Sequence, residues 1–396
     1  MIAHIALDEG FLNYSIDQFE TIWPGRNRFY IVAKASGKRL SKIKYHEATE
    51  VVGIQSPQDL QALASRIHSA ELVVIHRMEY LFSRLVQYLS PEQRVMWVFW
   101  GAEVYNRLPE FEDFVYGSLT RRHVPWMKTP RTKAWKLSVG RTISRACGER
   151  IPWLFRKFPC AHRDFRTSLK RPQYLGLFLR EDYDLVRARV AIPDQRVWYV
   201  YFNLEETVGA SLLEAEVSGN GIFVGNSATP TNNHLEAFRA LSSLDCSGHS
   251  VHVPLSYGVR SYGNVVVEQG RISFGGMFHP MRKLVPREEY NRVILSCPIV
   301  VMNHHRQQAI GSILTSLWLG AKLYLAADCP TFRFLKRIGI HCYSVEADLV
   351  PGNRLALEPL SPDLRGQNRE VLARHFSKER VYARMKAEFE SILGLP

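Results

Sequence analysis

Residues suited to chemistry gather in four short polar stretches of this chain, each following an apolar run. In 303–312, "NHHRQQAIGS", Arg306 lies beside two planar amides, Gln307 and Gln308. A helix starting near Ile310 and Gly311 would leave Ala309 to Ile313 with unpaired N–H groups, and these with a guanidinium suit a diphosphate. His304 and His305 are adjacent, so a strand points them to opposite sides, and no carboxylate accompanies them at ligand spacing; no metal is expected there. In 224–234, "VGNSATPTNNH", Gly225 lets a ligand approach the backbone, and Asn226 and Ser227 precede a helix expected from about Asn233. An anion fits that turn, and so does an ordinary capped turn, which favours the same residues. In "VFWGAEVYNRL" Glu103 stands among Trp97, Trp100 and Tyr105. Apolar surroundings would raise its pKa toward that of a useful general base, although a Glu at a helix start is also stabilised by the helix dipole. Asp8 and Glu9 after the first apolar run, and His76 after the fourth, are further base candidates or plain loop residues.

Elements of a particular kind are needed to hold these stretches. Short β-rich runs alternate with helical ones: "IAHIAL", "RFYIVA", "EVVGI", "ELVVIH", "RVMWVFW", "YLGLFL" and "VWYVYF", then "GIFVG", "SVHVPLSYG", "CPIVVMN", "AKLYLA" and "HCYSV". Such spacing predicts βαβ units and parallel sheets. A polar, glycine-containing interval near 203–220 separates the two series, so the chain is expected to form an α/β domain over 1–205 and another over 206–396. Two doubly wound domains facing across a cleft would bind ligand outside the carboxyl ends of the strands, where the four polar stretches fall.

Length and composition agree with two soluble domains: 396 residues, 46% of them hydrophobic. The six cysteines are scattered, without a CxxC pair, which argues against a disulfide framework or zinc cluster and fits a reducing cytoplasm. No apolar run approaches the roughly 20 residues of a spanning helix, and the start "MIAHIALDEG" lacks a secretory layout. The net charge of +13 is concentrated in one place. Between Thr120 and Arg171 stand 15 Lys and Arg against two acids, Glu149 and Asp164, interleaved with Trp126, Trp135, Ile143, Ile151, Trp153, Leu154, Phe155 and Phe158. Cations mixed with aromatic groups are the composition of a segment lying on an anionic membrane surface; a solvated basic face is the plainer alternative, and nucleic acid is not expected as the partner.

The turn at 303–312 is similar to the E-x-x-G-x-x-x-x-E pattern of GT-B glycosyltransferases, in which the first Glu meets the donor sugar and the last holds ribose hydroxyls. Here the same offsets give Gln308, Gly311 and Ser316. Both acids are lost, which is compatible with a deoxyribose nucleotide such as TDP. Taken in order, "FWGAEVYNRL", "VGNSATPTNNHLEAFRAL", "VHVPLSYG" and "EEYNRVILSCPIVVMNHHRQQAIGSILTSLWLGAKL" resemble the TDP-4-acetamido-4,6-dideoxygalactose transferase family of enterobacterial common antigen synthesis (glycosyltransferase family 56), patchily over 70–340. The basic segment and the amino-terminal loop depart from that pattern.

This resemblance implies a GT-B fold and an inverting transfer from a nucleotide sugar to a polyprenyl-diphosphate-linked saccharide, peripherally at the cytoplasmic face of the bacterial inner membrane, with no required metal. It implies diphosphate contacts from Gly225, Asn226, Ser227, Arg306, Gly311 and Ser312, and sugar reading by Gln307 and Gln308. Tyr257 would stack on base or sugar, and Trp100 and Tyr105 would meet the acceptor. Glu103 is the first expectation for the base, then Asp8, then His76. Rival readings are a GT-B transferase of lipopolysaccharide, capsule or exopolysaccharide synthesis using a UDP- or GDP-sugar, and a non-catalytic basic binding protein.

Overall fold

A computed structural model describes residues 1–37, 39–44, 46–125 and 128–394. The chain forms two compact units. Unit 1 comprises Met1–Pro109, Pro130–Phe202 and Val381–Pro396; unit 2 comprises Glu110–Thr129 and Asn203–Arg380. The expected division at 205/206 therefore needs two corrections. Glu110–Thr129 belongs to unit 2 because its backbone is capped there: Glu236 accepts from the amides of Leu119 and Thr120 at 2.8 and 3.0 Å, and Asn233 accepts from that of Gly117 at 2.9 Å. The carboxy-terminal helix belongs to unit 1, where Met385, Phe389, Ile392 and Leu393 join the core around Phe19 and Trp23. The basic stretch 120–171 is thus shared between the units, and Trp126 lies outside the described residues.

Unit 1 holds seven parallel strands, β1 (Ile2–Ala6), β2 (Asn27–Ala33), β3 (Thr49–Gly53), β4 (Leu72–His76), β5 (Val95–Val98), β6 (Tyr174–Gly176) and β7 (Gln195–Val197), in the order β3-β2-β1-β4-β5-β6-β7. Central strands such as "IAHIA" and "LVVIH" are buried along their whole length, as β-branched runs covered by helices on both faces must be. Helix starts follow local rules too. Ser56 and Asp59 form a reciprocal capping box with Pro57 in the first turn of Pro57–Arg66.

Unit 2 repeats the plan with six parallel strands, β8 (Ile222–Val224), β9 (Val251–Pro254), β10 (Phe278–Met281), β11 (Ile299–Met302), β12 (Lys322–Leu325) and β13 (Tyr343–Ser344), in the order β10-β9-β8-β11-β12-β13. Strand order reverses direction between β1 and β4 in one sheet and between β8 and β11 in the other, and these are the positions where doubly wound sheets open a crevice. All twelve apolar runs meet strands, but "VWYVYF" is mostly past the end of β7. The edge strand β10, "FHPM", is absent from the sequence expectation because Pro280 demotes it; an edge tolerates that proline.

Two further facts bear on function. All six cysteines are free thiols. Among the described residues no helix is long and apolar enough to cross a membrane.

Candidate active site

The β8/β11 switch point of unit 2 gathers most of the expected donor residues. Gly225 follows β8 with φ +69°, and a Cβ there would stand 2.7 Å from His234 Nε2 and 2.9 Å from Asn232 Oδ1, so only glycine fits. The loop is then stitched to the one after β11. Gln308 Nε2 donates to Asn226 Oδ1 at 3.0 Å, while its Oε1 accepts from the Thr231 hydroxyl at 2.6 Å. Asn226 Nδ2 in turn donates to the Tyr257 hydroxyl at 3.0 Å, and Ser227 Oγ bonds Thr229 at 2.9 Å. Tyr257 keeps its ring more than half exposed, available for stacking. Gln308, expected to read the sugar, has both ends of its amide engaged in holding two loops together.

Arg306 is buried, donating to the Gln307 carbonyl at 2.7 Å and standing 3.5 Å from the Thr231 hydroxyl. Its charge is felt by Tyr116, whose hydroxyl burial pushes up to about 12, Arg306 pulling the other way. Ala309, at φ +55°, turns the chain into the helix Ile310–Trp318, so Gly311 and Ser312 fall in its first turn as expected. Ser312 is also within reach of the Tyr290 hydroxyl.

Hydrogen bonding fixes the state of His304. Asn232 Nδ2 donates to the carbonyls of Ser227 and Thr229, each at 3.0 Å, so its Oδ1 must accept. His304 Nε2, 2.9 Å from that oxygen, must therefore be the donor, and burial followed by repulsion from Arg306 holds the ring neutral. His304 Nδ1 is then a bare acceptor, and it has no protein partner; the same is true of Gln307 Oε1, Asn303 Oδ1 and His234 Nε2. Four buried polar atoms without protein partners at one turn are a concentration that ordinary packing avoids. His305 is shifted the opposite way. Burial would lower its pKa, but the hydrogen bond and charge of Asp328, 2.7 Å away, raise it on balance.

Unit 1 uses its switch point differently. His76, at the end of β4, is buried with Nε2 3.0 Å from His4 Nδ1, and burial lowers its pKa to about 3. A base that weak and that enclosed cannot serve at neutral pH, which corrects the expectation for His76. Asp8 is also committed: its carboxylate accepts from the Ser41 hydroxyl and from the amides of Ser41, Lys42 and Ile43 at 2.7–3.0 Å. Burial raises its pKa, and these bonds more than reverse that, so Asp8 fastens a loop. Tyr105 is fully buried with its hydroxyl on Asp182, so it cannot meet an acceptor. Trp100 is half-buried beneath the Arg77 guanidinium, 5.4 Å from its ring centre.

Glu103 remains. Gly101, at φ +87°, turns β5 into the short helix Ala102–Tyr105, and Glu103 Oε1 accepts from the Trp97 indole at 3.1 Å and the Trp100 amide at 2.9 Å. Its other oxygen has no protein partner. Burial raises the carboxyl pKa, opposed by the amide bonds and by Arg77 and Arg107. Glu103 lines a cavity of about 440 Å³ together with Arg77, Arg107, Lys133, Lys136 and Lys157. Arg77 itself adopts φ +67°, and with Asn233 and Ala309 it makes three of the four non-glycine left-handed residues among those described. Such backbone strain collects at functional sites, here following strand ends of both units. Asn232, Asn233 and Thr231 were missed as site residues because their turn reads as a common cap. Among the described residues no group of three His, Cys, Asp or Glu side chains is placed to hold a metal ion.

Comparison with known proteins agrees with this architecture. Sucrose-phosphate synthase from Thermosynechococcus elongatus superposes with TM-score 0.63 at 10% identity, covering 99% of both chains. The Anabaena protein Alr3699/HepE, solved with UDP and glucose, gives 0.59 at 9% identity over the whole of both chains. WaaG, a glycosyltransferase of lipopolysaccharide biosynthesis, gives 0.55 at 12% identity, again over both whole chains. Residues 180–347, which contain the β8 and β11 turns, match the model described as 4-alpha-L-fucosyltransferase glycosyl transferase group 56. The chain is therefore a glycosyltransferase of GT-B fold.

Proposed function

We propose that this enzyme moves a 4-acetamido-4,6-dideoxygalactose-like sugar, with inversion, from a TDP-sugar to a polyprenyl-diphosphate-linked saccharide in bacterial surface-polysaccharide synthesis. The observation that carries the reading is the β8/β11 turn. It supplies a buried guanidinium, a helix start and bare acceptors on His304 and Gln307, which suit a diphosphate followed by a hydroxyl-bearing sugar. Neither position that holds an acid in other GT-B enzymes can grip ribose: Gln308 is engaged at both ends, and Ser316 is buried in the helix. A deoxyribose nucleotide is the donor that loses least by this.

In the proposed reaction the acceptor oxygen bonds to the sugar's anomeric carbon as the bond from that carbon to the diphosphate breaks. The electron pair leaves with TDP, stabilised by Arg306 and the helix-start amides in the role a metal ion has elsewhere. The acceptor's proton passes to Glu103, which is among the residues lining the unit 1 cavity and whose raised pKa suits a base. Peripheral attachment to the cytoplasmic face of the inner membrane would use the basic segment. There Trp135, Val139 and Ile143 recur every fourth residue along the helix Pro130–Ala146 and are exposed, as is Trp153 nearby.

A thermal-shift series with TDP, UDP, GDP and CMP tests the donor. Selective stabilisation by TDP is expected; a clear preference for UDP or GDP would sink the deoxyribose argument. Sedimentation with vesicles tests the membrane: binding to anionic but not neutral vesicles, weakened by salt, is expected, and equal binding to both would count against it.

A further inference from the structure

Glu103 is not alone among the residues of its cavity in having a polar atom that the protein leaves without a partner. Three of the lining residues carry one, each buried: Glu103 at Oε2, Asn106 at Oδ1 and Tyr80 at its hydroxyl. They follow the ends of neighbouring strands. Tyr80 opens the helix Tyr80–Leu85 after β4, whereas Glu103 and Asn106 lie within and at the end of Ala102–Tyr105 after β5, three residues apart and therefore on one side of that turn. The fold ordinarily satisfies its buried polar groups, so three exceptions among the residues of one cavity are a set for a ligand to complete.

The remainder of each side chain or backbone is held, and the polar tips are what is left over. The Tyr80 ring lies 4.4 Å from the Arg107 guanidinium and meets Phe165 edge to face at 4.9 Å between ring centres. Arg107 is itself tied to Glu79 and to the Met78 carbonyl. Lys133 Nζ donates to the Asn106 carbonyl at 2.9 Å. Burial pushes the Tyr80 phenol up to about 12, so it stays protonated and able to donate, while an asparagine amide both donates and accepts. Arg77 is paired with Glu9 and Glu79, and Arg107 with Glu79, so hydrogen-bond partners rather than a counter-charge are what Tyr80, Glu103 and Asn106 lack. Leu137 and Phe158 add apolar surface to the same lining. A sugar ring is divided in the same way, with C–H groups on its faces and hydroxyls round its edge. The volume of about 440 Å³ falls in the range of roughly 300–1,000 Å³ usual for small-molecule sites.

We propose that Tyr80 and Asn106 are binding residues for the sugar that receives the transfer, gripping its edge so that one of its hydroxyls meets Glu103. The assignment rests on the acceptor reading above and names the two side chains that choose among acceptor sugars. It places acceptor selection on the ends of β4 and β5 of unit 1, separate from the donor residues of unit 2.

Saturation-transfer NMR of the full chain with a panel of methyl hexosides and methyl N-acetylhexosaminides tests it. At least one glycoside is expected to bind the parent chain. Tyr80→Phe and Asn106→Ala should each weaken that glycoside about tenfold, the cost of leaving one hydrogen bond unmade, with melting temperature and TDP affinity unchanged. Rejection of every glycoside by the parent chain would overturn the proposal, and so would an affinity unchanged in both variants. An equal fall in TDP affinity would overturn it too, since the loss would then be general. The reading beneath it is measured separately: full turnover in Glu103→Gln would remove Glu103 as the base, and glycoside binding that still depended on Tyr80 and Asn106 would leave this assignment standing.

Discussion

The two switch points share a topology and are used in opposite ways. Between β1 and β4 most polar groups satisfy one another: His4 pairs with His76, Asp8 ties down 41–43, and Glu9 bonds Arg77 and Lys42, which leaves His76 Nδ1 over. Between β8 and β11 several are left over, on Asn303, His304, Gln307 and His234. Strand order allows a crevice at both places, but side-chain bookkeeping decides which is a site. In unit 1 the bare carboxylate has moved one strand outward, to the end of β5.

Glu103→Gln should give the largest effect separating these regions. Losing the base is expected to lower kcat by about 10²–10⁴-fold, with donor affinity unchanged in titration. Its stability effect has the other sign. The folded pKa of Glu103 is raised, so the folded state is best favoured when the carboxyl is protonated, and that advantage is lost as pH rises from the unfolded value through the folded one. The Gln variant should therefore melt no lower than the parent at pH 5 and higher at pH 8. A lower melting point at pH 8 would show that Glu103 is a structural anion.

Next comes Arg306→Ala, expected to weaken TDP binding by about 1.5–3 kcal/mol, or roughly 10- to 150-fold, measured against the melting temperature to separate binding from folding. Asp8→Asn should divide the regions from the other side. It removes acceptor capacity from four donors and is expected to cost about 1–2 kcal/mol in denaturant unfolding, with kcat within a few-fold of the parent. A kcat collapse there would return Asp8 to the list of bases. The smallest effect is expected from Asp328→Asn. His305 has a raised pKa, so its pairing with the half-exposed Asp328 contributes fully below the unfolded value of about 6.5 and fades as pH rises through the folded one. The variant should be less stable by about 0.5–1 kcal/mol at pH 6 and nearly equal to the parent by pH 9.

Much of this was legible beforehand for identifiable reasons. Parallel strands buried on both faces appear as continuous apolar runs, so the strand positions and the doubly wound class could be read directly. Gly225, Arg306 and Gly311 announced themselves because a positive φ, a permanent charge and a helix start are local properties. Tyr105 and His76 misled because exposure is not local: both stand at strand or helix ends where a site residue belongs, and both are packed inward. Asp8 misled because its partners lie more than thirty residues away. The cavity beside Glu103 could not be read at all, since its lysines come from helices whose packing no periodicity reveals.

The membership of the last helix in the core of unit 1 has a consequence for how the protein is made. Met385, Phe389, Ile392 and Leu393 close over Phe19 and Trp23, yet they are translated after every residue of unit 2. Unit 1 starts folding first and finishes last. Until the final turns emerge, its nascent sheet must wait with an apolar surface uncovered, at the mercy of chaperones and proteases.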